Sequence, residues 1–178
     1  MYVGTEANMP NSTLYEQGEY FIEPQGIQVI DIQDPYNPVI LDEWDGVVQS
    51  HNVMEADGYL YVIGSTDEYS QDGESESWGL DDLIILDLED PSNPTKVGGW
   101  SGEYLHDVCI DGDLLYGCAI YADEMYVFDI SDKSNPSLIS TWPGIPKAHA
   151  CWVSEDSRTV FTGSETTGGH IMSWDVSD

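Results

Sequence analysis

The sequence has very little positive charge. Only 4 of its 178 residues are Lys or Arg, against 34 Asp and Glu, which gives a formal net charge of −30 at pH 7. Such a surface repels the phosphates of nucleic acids and of anionic lipids, so nucleic-acid binding is excluded as a function. Because self-repulsion of this kind is screened at high ionic strength, we expect a halophilic or marine source.

Long hydrophobic runs and known catalytic motifs are also missing. No stretch approaches the roughly eighteen apolar residues of a membrane helix, and the first thirty residues lack the order of a signal peptide. We therefore expect no membrane insertion, and we expect any signal or anchor to lie outside this segment. There is no Gly-rich phosphate loop, no H-E-x-x-H element and no Ser-His-Asp order. A non-enzymatic role is thus favoured over an enzymatic one.

Cysteine is scarce. The three residues Cys109, Cys118 and Cys151 lack the C-x-x-C spacing of metal sites, and their odd number leaves at least one thiol unpaired within the segment. Cys109 and Cys118 fall on two runs that we expect to be hairpin partners. Two alternatives stay open: a disulfide between those two strands, or buried thiols that behave as small apolar side chains.

What the sequence does contain is an internal repeat built of two alternating blocks. The first block begins as GIQVIDIQDPYNPVILDEW, and its copies lie at 26–44, 81–100, 123–142 and, truncated, 169–178. The second block begins as SHNVMEADGYLYVIGS, and its copies lie at 50–65, 105–119 and 148–164. A period of about 40 to 55 residues is typical of propeller arrays.

Each repeat predicts four short strands, which we call A to D in chain order. Runs rich in Val, Ile, Leu and Tyr alternate with turn residues, and none has a sustained helical period. Asp57-Gly58 and Asp111-Gly112 predict hairpin turns between strands A and B. Between strands C and D, a recurring D-P-x-N-P element predicts a turn in which Asp and Asn cap backbone amides and Pro fixes φ.

Four antiparallel strands repeated at this period indicate an all-β fold of β-propeller blades. We predict about three to four blades in a single partial propeller over 1–178, with approximate blade units 1–44, 50–100, 105–142 and 148–178. The predicted strand order is B-C-D, A-B-C-D, A-B-C-D and A-B-C. A β-sandwich is the alternative, but it would not require the same sequence in each hairpin. The open blade edges predict either a fragment of a larger protein or self-association.

These motifs resemble those of the LVIVD-repeat propellers, and in particular of the choice-of-anchor B family. The resemblance rests on IDIQDPYNP, LDLEDPSNP and FDISDKSNP, on SHNV, LHDV and KAHACWVSEDSRTVF, and on the terminal GGHIMSWDVSD. It implies an extracellular, periplasmic or cell-surface propeller and implies little about activity. The expected partner is an unidentified protein or surface ligand. The chain departs from the family in its acidic segment at 66–79, and we expect the family's anchor to lie outside this segment.

One set of repeated residues has a chemical interpretation. His51, His106 and His149 share one repeat position at the start of strand A, which is the innermost strand of a propeller blade. We expect the three imidazoles to converge at the top of the central channel, where they suit zinc, copper or iron. The other interpretation is a packing or hydrogen-bonding device that recurs in each blade. Both interpretations stay open.

Carboxylates are expected at the same rim, because the B–C and D–A loops open on one face of a propeller. The candidate carboxylates, joined by His170 at the start of a strand C, are Glu6, Asp67, Glu68, Asp107 and Glu165. They suit calcium, or support of the imidazoles. The predicted cofactor is therefore calcium or a transition metal such as zinc or copper. The preferred function is an extracellular binding or scaffold module stabilised by metal; the alternative is a metal-dependent, oxidoreductase-like propeller with a His-bound metal.

Two other sets of repeated residues predict structure rather than chemistry. The aspartates that end each strand C are predicted to cap turns, and they are Asp31, Asp87, Asp129 and Asp175. The tryptophans that close each strand D are predicted to pack between blades, and they are Trp44, Trp100 and Trp142.

Overall fold

The computed structural model describes residues 1–4, 26–47, 50–65 and 81–177, and within these ranges it contains fourteen β-strands and no helix. The all-β prediction is confirmed. A helix able to cross a membrane is accordingly not found among the described residues.

The strands form four antiparallel sheets, which we call blades 1 to 4, and in each sheet neighbouring strands follow chain order. Blade 1 contains β1 (Tyr2–Gly4), β2 (Ile27–Asp31) and β3 (Val39–Trp44). Blade 2 contains β4 (Asn52–Ala56), β5 (Tyr59–Ile63), β6 (Leu83–Asp87) and β7 (Thr95–Trp100). Blade 3 contains β8 (Asp107–Asp111), β9 (Leu114–Ala119), β10 (Glu124–Asp129) and β11 (Ser137–Pro143). Blade 4 contains β12 (Ala148–Val153), β13 (Thr159–Ser164) and β14 (Ile171–Asp175).

The middle strands of blades 2 and 3 are buried on both faces. In β5, Leu60 and Val62 pack toward blade 1, whereas Tyr61 and Ile63 pack toward blade 3. Because side chains alternate along a strand, a continuous apolar run is needed to fill both faces of a sheet that lies between two others. This requirement explains why the sequence of β5 is YLYVI and that of β6 is LIILD.

The hydrophobic core consequently consists of three layers between four blades. One cluster joins blades 1 and 2 around Ile27 and Leu60, a second joins blades 2 and 3 around Ile85 and Phe128, and a third joins blades 3 and 4. The inner strand β8 contacts both β4 and β12, the inner strands of the neighbouring blades. Equivalent positions of successive blades therefore lie side by side, as a propeller requires.

The tryptophans that end strands D pack between blades, as predicted. The ring of Trp100 lies edge-on to Phe128 of blade 3, with centroids 4.9 Å apart. The ring centroids of Trp142 in blade 3 and Trp174 in blade 4 lie 5.9 Å apart. A Cβ at Gly102 would stand only 2.5 Å from the Trp100 ring. The glycine two positions after this tryptophan is thus needed for the ring to fold back.

The repeated aspartates cap their own turns, as predicted. Asp129 Oδ1 accepts hydrogen bonds from the backbone N of Ser131 at 2.9 Å and from its hydroxyl at 2.7 Å. In the turn that follows, where Lys133 replaces the first Pro of the D-P-x-N-P element, Asp132 accepts from the backbone N of Ser134 at 3.0 Å. The same bond to the amide two residues ahead is made by Asp31, Asp87 and Asp175.

Candidate metal site at the inner end of blades 3 and 4

The three repeated histidines are fixed by the backbone at the upper end of the inner strands. The backbone N of His106 donates to Cys118 O at 2.8 Å, and that of His51 donates to Ile63 O at 3.1 Å. His149 sits at an irregularity of β12, where the pairing register shifts between Ala148 and Ala150. A bulge of this kind redirects one side chain out of the regular alternation.

The imidazoles converge, as expected from their repeat position. The ring centroids of His51 and His106 lie 4.1 Å apart, and those of His106 and His149 lie 4.4 Å apart. His106 is therefore the middle ring of a row that spans blades 2, 3 and 4. Proximity alone is compatible with both the packing and the ligand interpretation, so the metal role of the three residues stays a prediction.

The surroundings of His106 favour its neutral form. Burial, followed by the neighbouring rings of His51 and His149, lowers the pKa of His106, and the carboxylate of Glu165 offsets only part of this effect. The His106 Nδ1 lies 3.3 Å from the backbone O of His149. Because a carbonyl oxygen can only accept, this bond places the proton on Nδ1 and leaves the ring's lone pair on Nε2. Neutral imidazole is the form that binds metal ions.

Two of these histidines form a compact donor group with a carboxylate. One potential ligand atom from each of His106, His149 and Glu165 lies within 4.8 Å of the others, and no further group of this kind occurs in the described ranges. His149 Nε2 stands 3.9 Å from Glu165 Oε1. Bond lengths near 2.0 Å to a tetrahedral ion require donors about 3.3 Å apart, so the side chains would have to close inward to hold such an ion. Glu165 is exposed and both histidines are half-buried, so an ion would reach the group from solvent.

The other predicted site residues lie elsewhere. Asp107 accepts a 2.7 Å hydrogen bond from the Asn52 Nδ2 of blade 2, and burial raises its pKa. It links two inner strands and is outside the donor group. His170 is exposed immediately before β14, also outside the group. The remaining candidates, Glu6, Asp67 and Glu68, lie outside the described residues.

Residues that sequence reasoning did not select also surround the site. The ring centroid of Tyr104 lies 6.2 Å from that of His106 and 5.3 Å from that of Tyr121. The Lys147 ammonium stands 5.4 Å from the centroid of Tyr121. None of these three residues recurs in the repeat, so periodicity could not reveal them. Gly64 was also missed; its φ is +60°, and an added Cβ would collide with the His51 Cβ.

Comparisons with known proteins agree with this architecture. Two segments of the chain, residues 79–100 and 102–142, match the LVIVD repeat. A search of curated proteins finds no match to the chain.

Solved structures are similar in fold. The computationally designed Ika4 protein shares 14% identity, with a TM-score of 0.57 over 86% of this chain and 81% of that one. A Bacteroides fragilis NCTC 9343 protein provisionally named a 6-phosphogluconolactonase shares 10% identity, with a TM-score of 0.64 over 84% of this chain and 44% of that one. A Lactobacillus plantarum protein shares 14% identity, with a TM-score of 0.55 over 97% of this chain and 50% of that one. The chain thus spans half or less of the two bacterial proteins, and likeness at these identities shows the fold alone.

Proposed function

We propose that this chain, a β-propeller module that carries LVIVD repeats, binds one divalent transition-metal ion at the inner end of blades 3 and 4. The proposed ligands are His106 from blade 3 and His149 and Glu165 from blade 4. The observation that carries the proposal is the grouping of their three donor atoms within 4.8 Å. Two adjacent blades each contribute an imidazole from the same repeat position, so the site is a product of the repeat itself.

The donor set favours zinc or copper over calcium. Calcium takes six to eight oxygen ligands, whereas two of the three donors here are imidazole nitrogens. The lowered pKa of His106 supports the same choice, because the middle ring is then neutral at neutral pH without a metal. Three protein ligands leave at least one coordination position for water or for a donor from a bound partner.

The role proposed for this ion is binding and scaffolding rather than turnover. An ion bound by His106, His149 and Glu165 would join blades 3 and 4 and fix their inner ends to each other. We place the module outside the cytoplasm, at a cell surface or in a secreted protein. The net charge of −30, which suits salt-rich surroundings, and the resemblance to extracytoplasmic propellers support this placement.

Isothermal titration of untagged, EDTA-treated protein tests the proposal. ZnCl2 and, in a second series, CuCl2 are expected to bind with a stoichiometry near one ion per chain. His106→Ala and His149→Ala should each lose this binding, and His170→Ala, which removes an exposed imidazole outside the group, should keep it. CaCl2 serves as the oxygen-ligand control. Absence of near-stoichiometric binding, or binding unchanged in His106→Ala and His149→Ala, would refute the site.

A further inference from the structure

Three thiols meet at the boundary between blades 3 and 4. Cys109 on β8 and Cys118 on β9 belong to blade 3, and Cys151 on β12 belongs to blade 4. All three are free and buried, with exposed fractions of 2%, 0% and 9%. They share a single hydrophobic cluster with Met125 and Val160. Every cysteine of the chain is therefore collected in one interblade layer.

Contacts inside this cluster run across the blade boundary. The Cys151 thiol lies beside those of Cys109 and Cys118 in one buried cluster. Its Sγ also lies 3.4 Å from the backbone O of Tyr116. Within blade 3, by contrast, the register pairs Cys109 with Tyr116 and Cys118 with Asp107, so the two blade 3 cysteines do not face each other. Cys151 is the one thiol of blade 4, so any thiol pair that crosses the boundary includes it.

We propose that Cys151 forms a disulfide with a blade 3 thiol, either Cys109 or Cys118, and that this bond joins blades 3 and 4 when the chain folds under oxidising conditions. The inference is independent of the proposed metal site. The third thiol remains reduced beside the bond. Because a thiolate can attack a neighbouring disulfide, that thiol allows the bond to exchange between the two blade 3 positions.

The chemistry needs an external oxidant, for which we name a small-molecule disulfide such as oxidised glutathione. One cysteine thiolate attacks it, forming a mixed disulfide and releasing one glutathione thiolate, which takes up a proton. The second cysteine thiolate then attacks the protein sulfur of the mixed disulfide and displaces the second glutathione. Two protein thiols are oxidised, and one glutathione disulfide is reduced to two thiols.

Burial decides when this reaction occurs. All three thiols are buried, so an oxidant in solution does not reach them in the folded protein. The folded, reduced protein should therefore react slowly. Oxidation is expected during folding or during local opening of blade 4, when the thiols meet solvent.

Refolding in a mixture of reduced and oxidised glutathione tests the proposal, with refolding in dithiothreitol as the reduced control. Mass spectrometry of the intact chain should show the loss of two hydrogens, and peptide mapping should show Cys151 in the bond. The thermal midpoint should rise by roughly 5 to 10 °C relative to the reduced chain. Zinc titration of both forms should give the same stoichiometry, which separates this inference from the proposed metal site.

Serine variants identify the partners. Cys151→Ser should abolish the disulfide, whereas Cys109→Ser and Cys118→Ser should each retain a bond to Cys151. Circular dichroism of each variant confirms that it folds, and the peptide map of the wild-type chain provides a result that needs no variant. The proposal is overturned if no disulfide forms, or if the bond joins Cys109 to Cys118.

Discussion

The inner ends of the blades and their outer turns both carry one polar residue per repeat, yet the two sets behave differently. Each outer aspartate, such as Asp129, is bonded within its own turn to the amide two residues ahead. The inner histidines instead approach one another, with ring centroids 4.1 and 4.4 Å apart. The repeat therefore gives each outer turn its own separate aspartate cap, whereas at the inside of the propeller it brings side chains from different blades together.

The cause of this difference is the distance from the propeller axis. Blades that fan out from a common axis bring equivalent atoms close together at the inner strands and separate them at the outer strands. A repeated residue on an outer turn must therefore satisfy its hydrogen bonds locally. A repeated residue at the inner end meets its own copies, and a donor group can arise without any compact motif in the sequence.

The largest effect is expected where the outer strands hold neighbouring blades together. Trp100→Ala removes a ring packed against Phe128 and should lower the free energy of unfolding by about 3 to 5 kcal/mol. Urea denaturation measures this loss. Tyr36→Ala removes an aromatic ring that is 91% exposed and should change the stability little. Equal losses in the two variants would mean that the tryptophans do not anchor the blades.

At the inner end, removing a histidine side chain should abolish the stabilisation by zinc and change the stability of the metal-free protein much less. Zinc at about one hundred times its dissociation constant is expected to raise the free energy of unfolding by about 2.7 kcal/mol. His149→Ala should remove this increment, and Asp129→Ala should keep it. Denaturation with zinc and with EDTA measures the difference. If Asp129→Ala also lost the stabilisation by zinc, the metal response would not be specific to the inner positions.

Two glycines with positive φ allow the cost of steric crowding at the inner end to be measured separately from the cost of the backbone conformation. Gly64 (φ +60°) lies against His51, whereas Gly112 (φ +56°) has nothing within 4 Å of an added Cβ. Gly112→Ala should cost about 1 kcal/mol, the usual penalty of a left-handed conformation. Gly64→Ala should cost more because its Cβ would displace His51. Similar losses measured by urea denaturation would show that the histidine row tolerates expansion.

The smallest effect concerns pH and the outer turns. Hydrogen bonds from Ser131, first from its hydroxyl and then from its backbone N, lower the pKa of Asp129. A carboxyl whose pKa is lower in the folded than in the unfolded state stabilises the fold above about pH 4, and this contribution is lost as the pH falls through the folded value. The stability difference between the wild type and Asp129→Asn should therefore shrink from pH 6 to pH 3. A difference that grows on acidification would contradict the capping role.

The blades were predictable from sequence because each recurs with its own turn chemistry. D-P-x-N-P and Asp-Gly elements form turns through local hydrogen bonds and backbone preferences, so the turns that they predict do not depend on the rest of the fold. The convergence of the histidines was predictable for a related reason: it follows once the repeat is placed around an axis.

The detailed composition of the site was not predictable. Glu165 belongs to the donor group and Asp107 does not, because Asp107 is engaged by Asn52 of the neighbouring blade. That contact depends on which residues face each other across two blades, and no single repeat contains this information. Tyrosine does not recur at the repeat position of Tyr104. The bulge that redirects His149 depends on the pairing of β12 with β13.

X-ray absorption spectroscopy of the zinc-loaded chain at the zinc edge tests the central claim most directly, because it reports the ligands themselves. Scattering from two imidazoles is expected, with nitrogen and oxygen ligands at about 2.0 to 2.1 Å, and His149→Ala should leave one imidazole or no bound zinc. A shell of oxygen ligands alone, or two imidazoles retained in His149→Ala, would contradict the claim that adjacent blades build one metal site from the same repeat position.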